Sequence, residues 1–118
     1  MSVQKISNVT AVSGATLITV ASGWANLLDV MPYALSGQGG ASTSGQVIGV
    51  YDAVSGIANP DISGAKILYQ FNFGNQSGNS PPVASIPPQL HASDQITALS
   101  GLVVQGIAGW SVTVVYAK

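Results

Sequence analysis

Apolar and polar residues alternate along most of this chain with a period of two, which is typical of β-strands that bury one face. The clearest example is Lys66–Phe73, where one face is aromatic and aliphatic and the other face is mixed. A second example, Ser111–Tyr116, carries valine and tyrosine on one face and Thr113 with Val115 on the other. Helical spacing of apolar residues is nearly absent, so the pattern predicts an all-β protein.

Further segments of this kind follow one another at spacings of roughly ten residues, which favours antiparallel strands over a parallel sheet. Glycine follows serine or alanine between many of the segments, as expected for turns. We therefore predict a single β-sandwich domain over residues 1–118. We expect it to be jelly-roll-like with about eight antiparallel strands, and an immunoglobulin-like sandwich is the alternative. The predicted strands are Val3–Val12, Thr16–Ser22, Ala25–Leu35, Gln46–Asp52, Lys66–Phe73, Gln95–Ser100, Gly101–Gln105 and Ser111–Tyr116.

Two segments between the predicted strands are too long for simple turns. Residues 36–46 are all small or polar, and residues 74–89 contain two proline pairs, Pro81-Pro82 and Pro87-Pro88. Paired prolines favour an extended and stiff backbone, so we predict an extended arm in the second half of the latter segment. Loops of this length in a compact domain are usually functional or disordered.

The chain carries very few charges. Its 118 residues include three lysines, four aspartates and neither arginine nor glutamate, and the formal net charge is −1. The lysines are far apart in sequence, whereas nucleic-acid binding depends on many cations that displace counterions from phosphates. These numbers exclude a nucleic-acid ligand and an electrostatic attraction to anionic membranes.

Neither a membrane span nor a thiol site is expected. Residues 98–117 are uncharged and long enough for a spanning helix, but they contain three glycines and end in alternating β-branched residues, which favours strands. The first residues lack the unbroken apolar region of a signal peptide, so folding in a cytoplasm is expected. The absence of cysteine excludes disulfides, zinc thiolate sites and thiol catalysis.

The single histidine does not indicate a catalytic triad. His91 stands close to Ser93 and Asp94 in sequence, but triads are assembled from distant segments around an activated nucleophile. No Gly-x-Ser-x-Gly motif occurs in the chain. We expect Ser93 and Asp94 to form a turn or cap before the strand at Gln95–Ser100, with His91 exposed to solvent.

Other chemistry is equally sparse. The four aspartates are each explained by turn chemistry or solubility, so a pair of catalytic carboxylates is not expected. One histidine, no cysteine and no acidic run do not indicate a metal site, and no phosphate-binding glycine loop is present. We expect no enzymatic activity, no cofactor and no bound metal. The aspartates are Asp29, Asp52, Asp61 and Asp94.

A surface with so few charges favours a subunit of an assembly over a free monomer. A small net charge gives little protection against association, and exposed strand edges add to that tendency. Small side chains such as serine and glycine also lose little conformational freedom when an interface forms. We therefore expect a homo-oligomer or a component of a larger assembly.

Three parts of the sequence resemble small β-rich virion proteins of tailed bacteriophages, especially capsid decoration or cement proteins. They are the opening Val3–Thr10, the segment Val50–Gly56, and the closing Gly101–Val104 with Ser111–Tyr116. The resemblance implies a structural virion protein, assembled in the host cytoplasm, that binds the capsid exterior and stabilises contacts between capsomers. It also implies a homotrimer whose partner is the major capsid protein, with many weak contacts acting together through avidity.

Candidate contact residues follow from the chain start, the proline-rich segment and the tryptophans. The first residues are suited to strand addition on a partner's sheet, and the stiff arm is suited to lie on a neighbour at little ordering cost. Tryptophan is enriched in protein interfaces, although core packing is the more common role for both positions here. The candidate interface residues are Val3, Lys5, Val83, Ile86, Pro87, Pro88, Leu90, Trp24 and Trp110.

Two other functions remain open at the level of the sequence. The chain has the features of a carbohydrate-binding or receptor-binding module of a phage tail or fibre, in which Trp24 or Trp110 stacks on a sugar. A minor tail or baseplate component would share the same composition. Sheet scaffolds host many functions, so the fold does not separate these alternatives.

Overall fold

The computed structural model describes residues 3–10, 15–34, 47–53, 64–72, 89–107 and 109–118. Within these ranges the chain forms strands and tight turns and contains no helix. The strands are β1 (Gln4–Thr10), β2 (Ala15–Ser22), β3 (Ala25–Ala34), β4 (Val47–Asp52), β5 (Lys66–Asn72), β6 (Leu90–Ala98), β7 (Gly101–Ile107) and β8 (Trp110–Ala117).

The strands form two antiparallel sheets of four, in the orders β1-β8-β3-β6 and β2-β7-β4-β5. Strands at mirrored positions in the sequence pair with one another: β1 with β8, β2 with β7, β3 with β6 and β4 with β5. Pairing of β3 with β8 and of β4 with β7 joins these hairpin-like pairs into sheets. The predicted all-β sandwich of antiparallel strands is confirmed.

The hydrophobic core lies between the two sheets and draws on both of them. Val30 and Val114 from the first sheet and Val50 and Leu102 from the second are fully buried. Full burial of one such side chain contributes about 1.5–3 kcal/mol, so the apolar side chains that both sheets bury in this core hold the sheets together. The apolar face predicted for Ser111–Tyr116 does face this core.

The uncharged stretch at residues 98–117 supplies the end of β6 together with β7 and β8, which are each a central strand of one sheet. Central strands of a small sandwich are shielded by neighbours on both sides, and nearly every described residue of β7 and β8 is buried. This explains why the stretch is almost continuously apolar without being a membrane span. No helix among the described residues is long and apolar enough to cross a membrane.

The strand predicted at Gln95–Ser100 begins earlier than expected. β6 runs from Leu90 to Ala98, so the prediction of a turn or cap at residues 93–94 is wrong. The register explains the irregular sequence: residues 92–95 lie between His91 and Ile96, while only residue 28 lies between their partners on β3. A bulge therefore accommodates the polar residues that resembled a turn, because bulged residues leave the regular ladder.

The predicted long loops fall between β3 and β4 and between β5 and β6. Residues 36–46 lie outside the described residues, as do residues 74–88, which include the predicted proline-rich arm. The strands on either side end and begin close to the predicted boundaries: β3 ends at Ala34, β4 begins at Val47, and β5 ends at Asn72.

Candidate interaction surfaces

At one end of the sandwich two short turns connect the sheets, one from β2 to β3 and one from β6 to β7. The two turns are linked because the Gly23 N–H donates to the Ser100 carbonyl over 3.1 Å. The beginning of β1 and the end of β8 meet here as well, since Val3 and Lys118 exchange backbone hydrogen bonds of 2.9 and 3.0 Å. We call the surface formed by these two turns and two chain ends the Trp24 end.

Several large apolar side chains among the described residues are exposed at the Trp24 end. Trp24 is 46% exposed, Val3 is 59% exposed and Leu99 is 72% exposed. Single exposed apolar residues are common, but several on one surface indicate an interaction site. The turn that carries Trp24 depends on Gly23, whose φ of 71° favours glycine.

Asp52 fixes the turn between β6 and β7. Its carboxylate accepts hydrogen bonds from the backbone N–H groups of Ser100 at 2.8 Å, Leu99 at 3.0 Å and Gly101 at 3.4 Å. Asp52 ends β4, so this contact joins segments that are distant in sequence. The carboxylate satisfies backbone donors that the turn leaves without a ladder partner, and it is committed to the fold.

All three lysines of the chain lie at or beside the Trp24 end. Lys118 follows β8, and its Nζ donates to the Ser22 carbonyl. Lys5 lies at the beginning of β1, and Lys66 stands opposite Asp52 at the beginning of β5. The three side chains are exposed. Because β1 and β5 belong to different sheets, cations border this end on both sides of the sandwich.

The outer face of the first sheet carries polar pairs between neighbouring strands. Each pair occupies matched register positions, so its side chains satisfy one another within the sheet. This face is therefore largely neutral, and Ile6 and Tyr33 are its exposed large apolar residues. The pairs are Asn8 with Thr113 at 2.6 Å, Asn26 with Thr97 at 2.9 Å and Asp29 with His91 at 2.5 Å.

His91 is exposed, as the sequence predicted, and its Nδ1 contacts an Asp29 carboxylate oxygen. A histidine held by a carboxylate is part of a triad only when a nucleophile lies within reach of the other ring nitrogen. The side chain of Ser93 lies outside the described part of the chain. Among the residues that are described, no group of three or more histidine, cysteine and acidic residues is placed to hold a metal ion.

On the second sheet, the Tyr51 hydroxyl joins three strands. It donates to Gln105 Oε1 on β7 at 2.8 Å and accepts from Gln70 Nε2 on β5 at 3.2 Å. The ring lies across Gly49 of the same strand, where any Cβ would overlap it. The glycine thus makes room for an aromatic side chain that holds β4 between its two neighbours.

Tyr69 is the group whose ionisation the fold changes most clearly among the described residues. It lies on β5 and belongs to the core. Burial away from water disfavours the phenolate and raises the pKa of Tyr69 from 10.0 to about 12. The neutral hydroxyl is therefore part of the folded state over the whole physiological pH range.

The structure brings together three of the candidate interface residues, Val3, Lys5 and Trp24. The first two belong to the edge of the first sheet and pair with the end of β8, so they do not form a free arm. Trp110 is 7% exposed and lies in the core, and Leu90 packs partly against that core, so both side chains serve the chain's own packing. The other candidates lie outside the described residues: Val83, Ile86, Pro87 and Pro88.

Sequence reasoning missed other residues of the Trp24 end. Leu99 precedes a recognisable Ser-Gly turn, and that position alone signals an exposed side chain. No local sequence pattern links Lys66 and Lys118 to Trp24, because only the order of strands in the sheets brings them to the same end. The sequence predicts that Asp52 serves the turn that follows β4. In the structure its carboxylate instead accepts hydrogen bonds from the turn between β6 and β7.

Comparisons with known proteins identify no relative: no family model matches the chain, and neither a curated protein nor a solved structure matches it. The resemblance to phage virion proteins therefore rests on the three sequence segments alone.

Proposed function

We propose that this protein is a structural virion component, a capsid decoration or cement protein that binds the capsid exterior and stabilises contacts between capsomers. The observation that carries the proposal is the exposure of Val3, Trp24 and Leu99 on one surface of a chain with only three lysines and four aspartates. Water-exposed apolar side chains favour coverage by another protein, and interface cores are poor in charge. Both features suit a subunit that is covered in use.

We also infer that the sandwich is a jelly roll. The pairs β1·β8, β2·β7, β3·β6 and β4·β5 are those of one long hairpin folded over into two sheets. Jelly rolls occur in viral capsid proteins and in lectins. The fold is therefore compatible with both candidate functions, and the choice between them rests on the surface.

A homotrimer bound to the major capsid protein fits this proposal. Three copies that each make weak contacts bind far more tightly together than any one copy does, because the later contacts form intramolecularly. Among the described strands, β1, β2, β5 and β6 form the edges of the sheets, and edge strands offer additional backbone groups to neighbours.

The test is the composition of virions produced from the genome that encodes this chain. We expect quantitative mass spectrometry to find the chain in many copies per particle, in a fixed ratio to the shell protein. Stripping and re-adding the purified protein should restore particle stability to heat. A few copies per particle would assign it to the tail or baseplate, and its absence from particles would contradict the proposal.

A carbohydrate-binding or receptor-binding role is the second candidate, because Trp24 presents a partly exposed ring at a loop end. Sugars stack on such rings through their apolar C–H faces. Binding on a glycan array that Trp24→Ala abolishes and Tyr33→Ala retains would favour this function. Tyr33 is the matched control, because it is a similarly exposed aromatic residue on β3, away from the Trp24 end. Equal binding by both variants would contradict a role for this surface.

A further inference from the structure

The Trp24 end is the cationic pole of a molecule that otherwise has almost no cations. Lys5 is the second residue of β1, Lys66 is the first residue of β5, and Lys118 follows β8. The chain contains no other lysine and no arginine. The sequence separates them by more than fifty residues. The antiparallel topology brings them to one end of the sandwich, because the beginning of β1 lies beside the end of β8 and the beginning of β5 lies beside the end of β4.

Among the described residues, the lysines at this end outnumber the carboxylates by three to one. Asp52 is that carboxylate: it stands opposite Lys66 on the neighbouring strand and keeps its negative charge while its oxygens accept the N–H groups of the β6–β7 turn. Asp29 lies along the outer face of the first sheet and pairs with His91. The three exposed lysines therefore give this end an excess of positive charge, on the same end of the sandwich that carries the exposed Trp24 and Leu99 side chains.

A second copy of the chain meeting this end symmetrically is disfavoured. Such a contact would bring six lysines together, and like charges across an interface cost free energy. A nucleic acid also fits poorly, since three cations without arginine neutralise too few phosphates. An apolar centre bordered by cations instead complements a protein surface where apolar side chains are bordered by carboxylates.

We propose that the Trp24 end docks on an acidic, partly apolar surface of a different protein. This inference rests on the proposed function and deepens it, because it states the chemistry of the surface that the decoration protein would recognise. Trp24, Leu99 and Val3 supply the buried contact, and the three lysines supply orientation and attraction. Docking through this end places the contacts between copies elsewhere on the sandwich.

Binding to defined polymers tests this chemistry directly. The full chain is applied to biosensors carrying a random copolymer of glutamate and tyrosine, polyglutamate alone, or the anionic polysaccharide alginate. We expect the strongest binding to the glutamate–tyrosine copolymer, because it offers carboxylates and apolar rings together. Raising the ionic strength from roughly 0.05 M to 0.5 M should weaken this binding, since the screening length falls severalfold.

Two variants separate the charged and apolar contributions. Lys5→Gln/Lys66→Gln/Lys118→Gln should weaken copolymer binding about tenfold, as expected for three exposed ion pairs. Trp24→Ser/Leu99→Ser should bring copolymer binding down to the level of polyglutamate. Tyr33→Ser is the control and should bind like the unmodified chain. Circular dichroism and the denaturation midpoint verify that each variant is folded.

Three results would overturn the inference: equal binding by the triple glutamine variant, binding that salt does not change, or preferential binding to alginate. Alginate preference would instead indicate an acidic glycan as the ligand. The two proposals fail separately. Absence of the chain from virions would contradict the capsid role, whereas normal incorporation of the triple glutamine variant into virions would contradict only the acidic docking surface.

Discussion

At the scale of single residues, Gly49 and Tyr51 show how one missing side chain makes space for another. We expect Gly49→Ala to lower the free energy of unfolding by about 1–3 kcal/mol, because the new Cβ overlaps the Tyr51 ring and must displace it. Displacement also removes the hydroxyl from Gln105 and Gln70. Urea denaturation measures the change.

A double-mutant cycle isolates this contact. In a Tyr51→Ala background the ring is gone, so Gly49→Ala should cost little or even stabilise, because alanine is favoured over glycine in a strand by about 0.5–1 kcal/mol. If Gly49→Ala costs the same amount with and without the tyrosine, the ring is not what the glycine accommodates.

Tyr69 makes stability depend on pH in the alkaline range. The unfolded tyrosine ionises near pH 10.0, whereas burial raises the pKa of Tyr69 to about 12 in the folded protein. Between these values the unfolded state releases a proton that the folded state keeps, so stability falls as pH rises. We expect a loss of about 1–2 kcal/mol across this window, because the hydroxyl is only partly shielded from water, and no contribution from this group below pH 10.0.

Denaturation midpoints measured from pH 9 to pH 12 check this expectation. Tyr69→Phe removes the titrating hydroxyl and should flatten much of the decline. Tyr33→Phe removes an exposed hydroxyl on β3 and should leave the decline intact. An unchanged decline in Tyr69→Phe would assign the alkaline transition to other groups.

At the scale of elements, the β6–β7 turn depends on a carboxylate from another strand. Asp52→Ala leaves three backbone N–H groups without their acceptor, and we expect a loss of about 2–3 kcal/mol, as for hydrogen bonds to a charged group. Asp52→Asn keeps one acceptor oxygen and should cost less.

Asp29→Ala is the matched control for this cap. Its carboxylate pairs with an exposed histidine, and such surface pairs are typically worth less than about 1 kcal/mol. Chemical denaturation of Asp52→Ala and Asp29→Ala should therefore give clearly different midpoints. Equal losses would mean that the Asp52 cap contributes no more than a surface ion pair.

The strands themselves could be predicted from the sequence, because a half-buried strand needs alternating residues and turns need glycine or short polar residues. Lys66–Phe73 and Ser111–Tyr116 were predicted within one residue or so of β5 and β8. The beginning of β6 was not, because a bulge interrupts the alternation while the backbone stays extended. Alternation reports which face is buried, and it fails where the register shifts.

At the scale of the whole molecule, the candidate site could be predicted only in part. Trp24 was identified from its residue type alone, because tryptophan is enriched in protein interfaces. Its neighbours Leu99, Lys66 and Lys118 come from three other parts of the chain, and no local pattern links them. The order of strands in the two sheets brings them together, and that order is not encoded in the periodicity of any one segment.

The charge layout also predicts that self-association and docking respond differently to salt. Contacts between copies would form away from the lysines, through apolar side chains and backbone edges, so we expect a small oligomer whose mass stays constant as ionic strength rises. The triple glutamine variant of Lys5, Lys66 and Lys118 should keep that oligomer while losing copolymer binding. Sedimentation velocity across a concentration series measures the oligomer at low and high salt. A monomer at high concentration would contradict the inference that the weakly charged surface is covered by other copies. Dissociation in salt or in the triple variant would place the lysines within the contact between copies.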